Sequence, residues 1–225
     1  MDVRFKIRGN RRLPKLSGEQ TEQRRNRILD AAEACFARAG FHRSTMQDIC
    51  REAGISAGAF YLYFGSKEAL IEGISARARE KVLRSFAALA YSDDFGAAMA
   101  QVLEECICNK PKSEIHLWIE IGSEASRNPA VAAMLEHCDS QIFAALQLLL
   151  ERARDEGRIR PLVPLGDILQ SMGVIADGLF WRRGLDPNFD PAAAGRAVLA
   201  MLNALVRPVM VTREKDGETI MEPGQ

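Results

Sequence analysis

The stretch Thr45-Met-Gln-Asp-Ile-Cys-Arg-Glu-Ala-Gly-Ile-Ser-Ala-Gly-Ala-Phe-Tyr-Leu-Tyr-Phe64, with Lys67 three residues on, reads as two short helices joined by a tight turn. Thr45 is an N-cap, because its hydroxyl accepts a hydrogen bond from a free backbone N–H of the first turn. Ile49 and Ala53 lie four apart on one face of that helix, Gly54 supplies the positive φ of the turn, and Ile55 plugs the core behind it. Ser56 caps a second helix, expected to run to about Tyr63, whose apolar anchors are Phe60 and Phe64. Its remaining face is Ala57, Gly58, Ala59, Tyr61 and Tyr63, small at the N-terminal end and hydroxyl-bearing further on. A helix entering a major groove needs that taper: small residues let the backbone approach the bases, and hydroxyls reach flanking phosphates. An ordinary buried helical hairpin would leave the small residues and outward tyrosines without a purpose.

At these residues the chain resembles the DNA-binding head of the tetracycline-repressor (TetR/AcrR) family of bacterial regulators. The resemblance is carried by Thr45, Ile49-Cys50, Ala53-Gly54-Ile55-Ser56, Gly58, Phe60-Tyr61, Tyr63-Phe64, Lys67 and Leu70, and it covers Arg24 to Ile71. Cys50 stands where Ala is usual, and Ile55 and Phe60 stand for Val and Leu, which keeps the small and large buried positions. The resemblance implies an all-α protein of about nine helices. A three-helix helix-turn-helix DNA-binding domain would precede a larger helical domain for ligand binding and dimerisation. It also implies a ligand-responsive repressor that binds an inverted-repeat operator in double-stranded DNA as a homodimer. A small molecule bound by the larger domain would move the fourth helix and release the operator. Gln47, Ala57, Gly58, Ala59 and Tyr61 are expected at base edges or the nearby sugar–phosphate wall. Thr45, Ser56, Tyr63 and Lys67 are expected at phosphates.

The charge distribution agrees. The net charge is zero, yet up to Lys67 there are 13 Lys/Arg against 7 Asp/Glu, and beyond it 17 against 23. A basic head on an acidic body concentrates attraction for a polyanion at one end. Arg4, Lys6, Arg8, Arg11, Arg12 and Lys15 sit beside the single acid Asp2, and Gly9, Pro14 and Gly18 disfavour a helix there. Residues 1–20 are therefore expected to be a flexible basic arm that tracks the DNA backbone, the alternative being a solvated tail.

Helical periodicity fills the rest. The first helix is expected over Glu19 to Ala39, with the apolar stripe Ile28, Ala31-Ala32, Cys35-Phe36 and Ala39, and Gly40 ends it. Ser66 caps a fourth helix running toward Ala88 or beyond. Later helices are delimited by Ser92-Asp93-Asp94 and Asn109, by Lys112 and Arg127, and by Asn128-Pro129 and Gly157. Two more span Leu165 to Arg183 and Pro191 to Val206. The expected domains are 21–73 for the DNA-binding head and 74–208 for the ligand-binding and dimerisation body, with 209–225 a flexible tail.

The helix at 165–183 is apolar around most of its circumference and must be buried on more than one side. Together with 191–206 it is expected to pair across a twofold axis, since two half-sites need two symmetric heads. Candidate lining for a small-molecule effector is Phe86, Met99, Leu103, Trp118, Ile121, Met134, Phe143, Met172 and Trp181, because aromatic and Met side chains make adaptable apolar walls. Each is also an ordinary core residue type. Glu120 and Asp177 are added as acids on apolar helices that could select a cation, or else are solvated or paired.

Five cysteines without an export signal predict reduced thiols and a cytoplasmic protein, and no run approaches a membrane span. Cys106 and Cys108 diverge by about 200° on a helix, so no metal or cofactor is expected from them. A metal or thiol sensor, an activator, and a helical enzyme or carrier remain the alternatives. The three histidines lack any recognisable nucleophile setting, and no Gly-rich phosphate loop is present.

Overall fold

The computed structural model describes residues 17–213 and 219–223. Helix α1 spans Gly18–Ala39, one residue closer to the N-terminus than a reading of Gly18 as a breaker allows. The reason is a capping box: Ser17 Oγ accepts from the Gln20 N–H at 3.2 Å, and Gln20 Oε1 accepts from the Ser17 N–H at 3.1 Å. Residues 18–20 thus belong to the helix and not to the arm, whose residues 1–16 lie outside the described residues. Ile28, Leu29, Ala31, Ala32, Cys35 and Phe36 form the buried face, and Gly40 at φ 81° stops the helix with its N–H on Phe36 O.

Helix α2 spans Met46–Ala53 and ends at Gly54 in the left-handed region, φ 63° and ψ 39°. The second motif helix, α3, is shorter than expected: it covers Ala57–Phe60. Beyond it a turn carries Tyr61 to Tyr63, with the Tyr63 and Phe64 N–H groups both donating to Phe60 O. Gly58 and the aromatic run are weak helix formers, and Gly65 follows, so nothing local extends the helix.

Helix α4, Lys67–Tyr91, starts on a Ser66 cap and is about 37 Å long at 1.5 Å per residue. Helix α5, Phe95–Leu103, runs into a π-helical turn at Glu104–Cys108. The body continues with α6 (Lys112–Ala125), α7 (Pro129–Asp155), α8 (Leu165–Leu185) and α9 (Pro191–Val206). These are the nine α-helices among the described residues. The tail expectation is corrected in part: β1, Val209–Arg213, pairs antiparallel with β2, Thr219–Pro223, in register Val209 to Pro223. The β-branched residues Val209, Val211 and Thr212 and the intervening Asp216-Gly217 are the strand and turn signals in this stretch of sequence.

Packing runs across the head–body boundary drawn at residue 73. One buried cluster joins Ile28, Phe36, Ile49, Phe60 and Leu70 of the head to Leu117 and Ile121 of α6 and Val131 of α7. A second cluster, with Phe86, Leu89, Phe95, Met99, Leu150 and Ile168, holds α4, α5, α7 and α8 together. Because α6 packs directly on α1, the head is seated on the body and not merely tethered by α4.

Candidate nucleic-acid interface

The exposed side of the motif is built by what lies behind it. Phe60 and Phe64 are buried, and Arg25 of α1 stacks its guanidinium 5.4 Å from the Phe64 ring centroid. That anchoring turns Ser56, Ala57 and Gly58 outward, with Ala59 partly covered. Tyr61 is 58% exposed and Leu62, the next residue, 84% exposed. A Cβ built on Gly58 meets no atom within 4 Å, so this edge is open to an incoming surface. Gln47, on the first turn of α2, is also exposed.

Among the hydroxyls, Ser56 Oγ accepts from the Ala59 N–H at 3.2 Å, which leaves its proton free to donate. The Thr45 hydroxyl is engaged twice. It accepts from the Asp48 N–H at 3.1 Å and donates to Asp48 Oδ2 at 2.6 Å. The Thr45 hydroxyl, then the Thr45 N–H, hold the Asp48 carboxyl below its usual range, and Arg51 adds a contact at 3.1 Å. Tyr63 is half-buried against the head cluster. Lys67 is not a free surface cation: its Nζ donates to Phe41 O at 2.8 Å and lies 4.4 Å from the Phe41 ring centroid.

Leu62 was not among the residues singled out from the sequence; the turn that follows α3 leaves it exposed beside Tyr61. Sequence reasoning also passed over the Phe41-His42 loop. His42 Nε2 lies 2.8 Å from Glu124 Oε2 of α6, an interaction between residues too far apart in sequence for any local pattern to reveal.

The candidate effector lining does not converge. Trp118, Ile121 and Met134 pack into the head cluster, while Phe86 and Met99 pack into the second cluster. Leu103 lies with Val198 and Leu202 in a third, and Met172 bridges the second and third. Phe143 covers Gly173, where a Cβ would come within 2.8 Å of its ring, and Trp181 and Asp177 are exposed. Glu120 is corrected most clearly: its Oε2 accepts the Phe41 N–H at 3.2 Å, so it faces the head. Burial raises the Asp177 carboxyl, and burial followed by the Asp177 charge raises that of Asp139. Two surface clefts, of about 540 and 350 Å³, are lined by other residues, at Cys35, Arg38 and Arg51 and at Tyr91, Arg152 and Arg158.

All five thiols are unpaired, and burial pushes each of them up, away from the reactive thiolate. Cys108 donates to Pro191 O at 3.3 Å and serves packing. Among the described residues no group of three or more His, Cys, Asp or Glu is arranged to hold a metal ion, and no helix is long and apolar enough to cross a membrane.

Comparison with known proteins now bears on this geometry. Residues 28–74 match the family described as bacterial regulatory proteins, tetR family, and residues 95–207 match the BetI-type transcriptional repressor C-terminal region. The HTH-type transcriptional regulator UidR of Escherichia coli is 35% identical over 144 residues, which cover 63% of this chain and 73% of UidR. The HTH-type transcriptional repressor Rv1474c of Mycobacterium tuberculosis is 27% identical over 179 residues, 78% of this chain and 91% of that protein. Salmonella enterica GusR has a solved structure that matches with a TM-score of 0.71 at 28% identity, over 85% of this chain and 98% of GusR. The two matched regions take in α1 from Ile28, the motif, the start of α4 and the body from α5 to α9. The chain belongs to the TetR family of helix-turn-helix transcriptional regulators, with a BetI-type C-terminal region.

Proposed function

We propose that this regulator is a repressor that binds an inverted-repeat operator as a homodimer and lets go when its body takes up a small molecule. Each head docks α3 and the following turn in a major groove. Gln47, Ala57, Gly58, Ala59 and Tyr61 meet base edges or the groove wall, and Thr45, Ser56, Tyr63 and Lys67 meet phosphates. The observation that carries the reading is the open edge Ala57, Gly58, Tyr61 and Leu62, held out by the buried Phe60 and Phe64. Lys67 fits its role as a pre-aimed cation, because the Phe41 carbonyl takes part of its hydrogen-bonding capacity and leaves the rest for a phosphate oxygen.

The homodimer is supported by α8 and α9. In the single chain only Ile168 and Leu169 of α8 are buried, whereas Val174, Trp181, Leu185 and, on α9, Met201 are each at least half exposed. A second copy laid on this surface removes it from water, which contributes roughly 25 cal/mol per Å² of apolar area. The effector is received in the body, a reading supported by the match of residues 95–207 to the BetI-type repressor C-terminal region. Binding must be tighter in the released form than in the DNA-bound form for release to follow. The test is selection of bound sequences from a random duplex pool. An enriched inverted repeat is expected, and a folded protein that enriches nothing refutes the reading.

A further inference from the structure

The loop that joins α1 to α2 is gripped by the body. Glu120 Oε2 accepts the Phe41 N–H at 3.2 Å, and His42 Nε2 lies 2.8 Å from Glu124 Oε2. The Glu124 side chain is only 6% exposed, while that of His42 is 65% exposed, so a head residue reaches in from the surface to a carboxylate fixed inside α6. Asn128 Nδ2 donates to the other Glu124 oxygen at 3.0 Å. The Arg127 guanidinium lies 3.8 Å from Glu124 Oε2, and its Nη2 lies 3.4 Å from His42 Nε2. From the other side Lys67 Nζ holds the Phe41 carbonyl. The approach is as close as the backbone permits: a Cβ on Gly40 would stand 2.9 Å from Glu120 Oε2, and the φ of 81° there already calls for glycine.

The consequence is geometric. The chain enters the body from the head through the start of α4, and a body linked only there could let the head swing about that point. A second attachment removes the swing. The packing of α1 on α6 is such an attachment, and the grip on Phe41 and His42 adds directed polar contacts to it at the end of α1. Glu124 is a buried carboxylate whose Oε2 accepts no hydrogen bond among the described residues, so the imidazole 2.8 Å away and the Arg127 guanidinium at 3.8 Å are the groups that face it.

We propose that His42, Glu120 and Glu124 are positioning residues that fix the angle of each head and thereby set which half-site spacing the protein accepts. The inference rests on the dimeric operator-binding reading above. Each added base pair moves a half-site by about 3.4 Å and turns it by about 34°, so a held pair of heads tolerates one spacing and a loosened pair tolerates several.

The experiment uses the full-length protein and fluorescence anisotropy on the selected inverted repeat, with the spacer shortened by one base pair or lengthened by one or two. Wild type is expected to lose about 30-fold or more in affinity on a one-base-pair change, the scale of a poorly matched site. The His42→Ala/Glu120→Ala variant is expected to lose only about 5-fold, with base preference inside each half-site unchanged. His42→Gln should behave as wild type, because the amide N–H can donate to the same Glu124 oxygen. Should the double variant unfold, His42→Ala alone at its exposed side chain gives the reading. Equal spacing penalties in wild type and the folded variants overturn the inference and leave the operator reading intact. A wild-type protein that recognises no inverted repeat overturns both.

Discussion

Lys67 shows how one side chain serves two roles that mutation will separate. Its ammonium caps the Phe41 carbonyl and lies over the Phe41 ring, so Lys67→Ala removes a stabilising contact as well as the proposed phosphate anchor. Two readouts are expected: the slope of log affinity against log salt falls by about one, and Tm drops by roughly 2–4 °C. An unchanged salt slope with a lowered Tm would confine Lys67 to the loop. Asp177 offers a residue-scale test of the body. Its carboxyl is raised by burial, so the folded chain holds the proton more tightly than the unfolded chain does. This group's contribution to stability is therefore most favourable below the ordinary carboxylate range and declines as pH rises through the raised folded value. Asp177→Asn is expected to raise Tm at neutral pH by about 1–2 °C, a small effect because the site is exposed, and the gain should vanish below about pH 4. A gain that persists in acid would mean the charge is not its cause. At this scale the sequence was a good guide to local chemistry. Thr45, Ser56 and Ser66 cap helices as their side chains dictate, and Gly54 takes the positive φ. It was a poor guide to Glu120, whose partner Phe41 comes from a distant helix junction.

Elements with breakers at both ends were legible, because Gly, Pro and capping residues act on the backbone locally. Helices α7 and α9 begin at Pro129 and Pro191 behind Asn128 and Asp190 caps, as those pairs demand. The π-helical turn was not legible, since one extra residue in a turn leaves no mark on composition or periodicity over so short a span. Tertiary contacts explain it instead. The Arg183 guanidinium of α8 donates to Ile107 O and Lys110 O, and Cys108 packs against α9, where a Cβ on Gly195 would stand 2.6 Å from its sulfur. Gly195→Ala therefore overpacks the contact between α9 and the π-turn. The expected cost is about 1–3 kcal/mol, a fall in Tm of roughly 2–10 °C measured by calorimetry. Full wild-type stability in that variant would show that the π-turn yields easily and is not pinned by α9. The β1–β2 pairing was illegible for a different reason: each strand is five residues long and lacks an apolar–polar alternation to mark it.

On the scale of the whole molecule, two features argue the same function from opposite ends. The head presents an open edge at Ala57, Gly58, Tyr61 and Leu62, and the body leaves Val174, Trp181, Leu185 and Met201 uncovered on α8 and α9. The all-α architecture and the two-part organisation were readable because helical periodicity survives in any context. The arrangement of the effector site was not, since its candidate residues distribute over three separate packed clusters that periodicity alone does not distinguish. The central claim is that two symmetric heads dock in successive major grooves. Hydroxyl-radical footprinting on the selected duplex tests it directly, with Gly58→Asp as the control. A Cβ there meets no atom within 4 Å, so the substitution is expected to keep the fold while setting a carboxylate against the groove. The account predicts two protected patches on one face of the duplex, about 34 Å apart or a multiple of that, both abolished by Gly58→Asp. A single patch, or protection that persists in the folded Gly58→Asp variant, would contradict it.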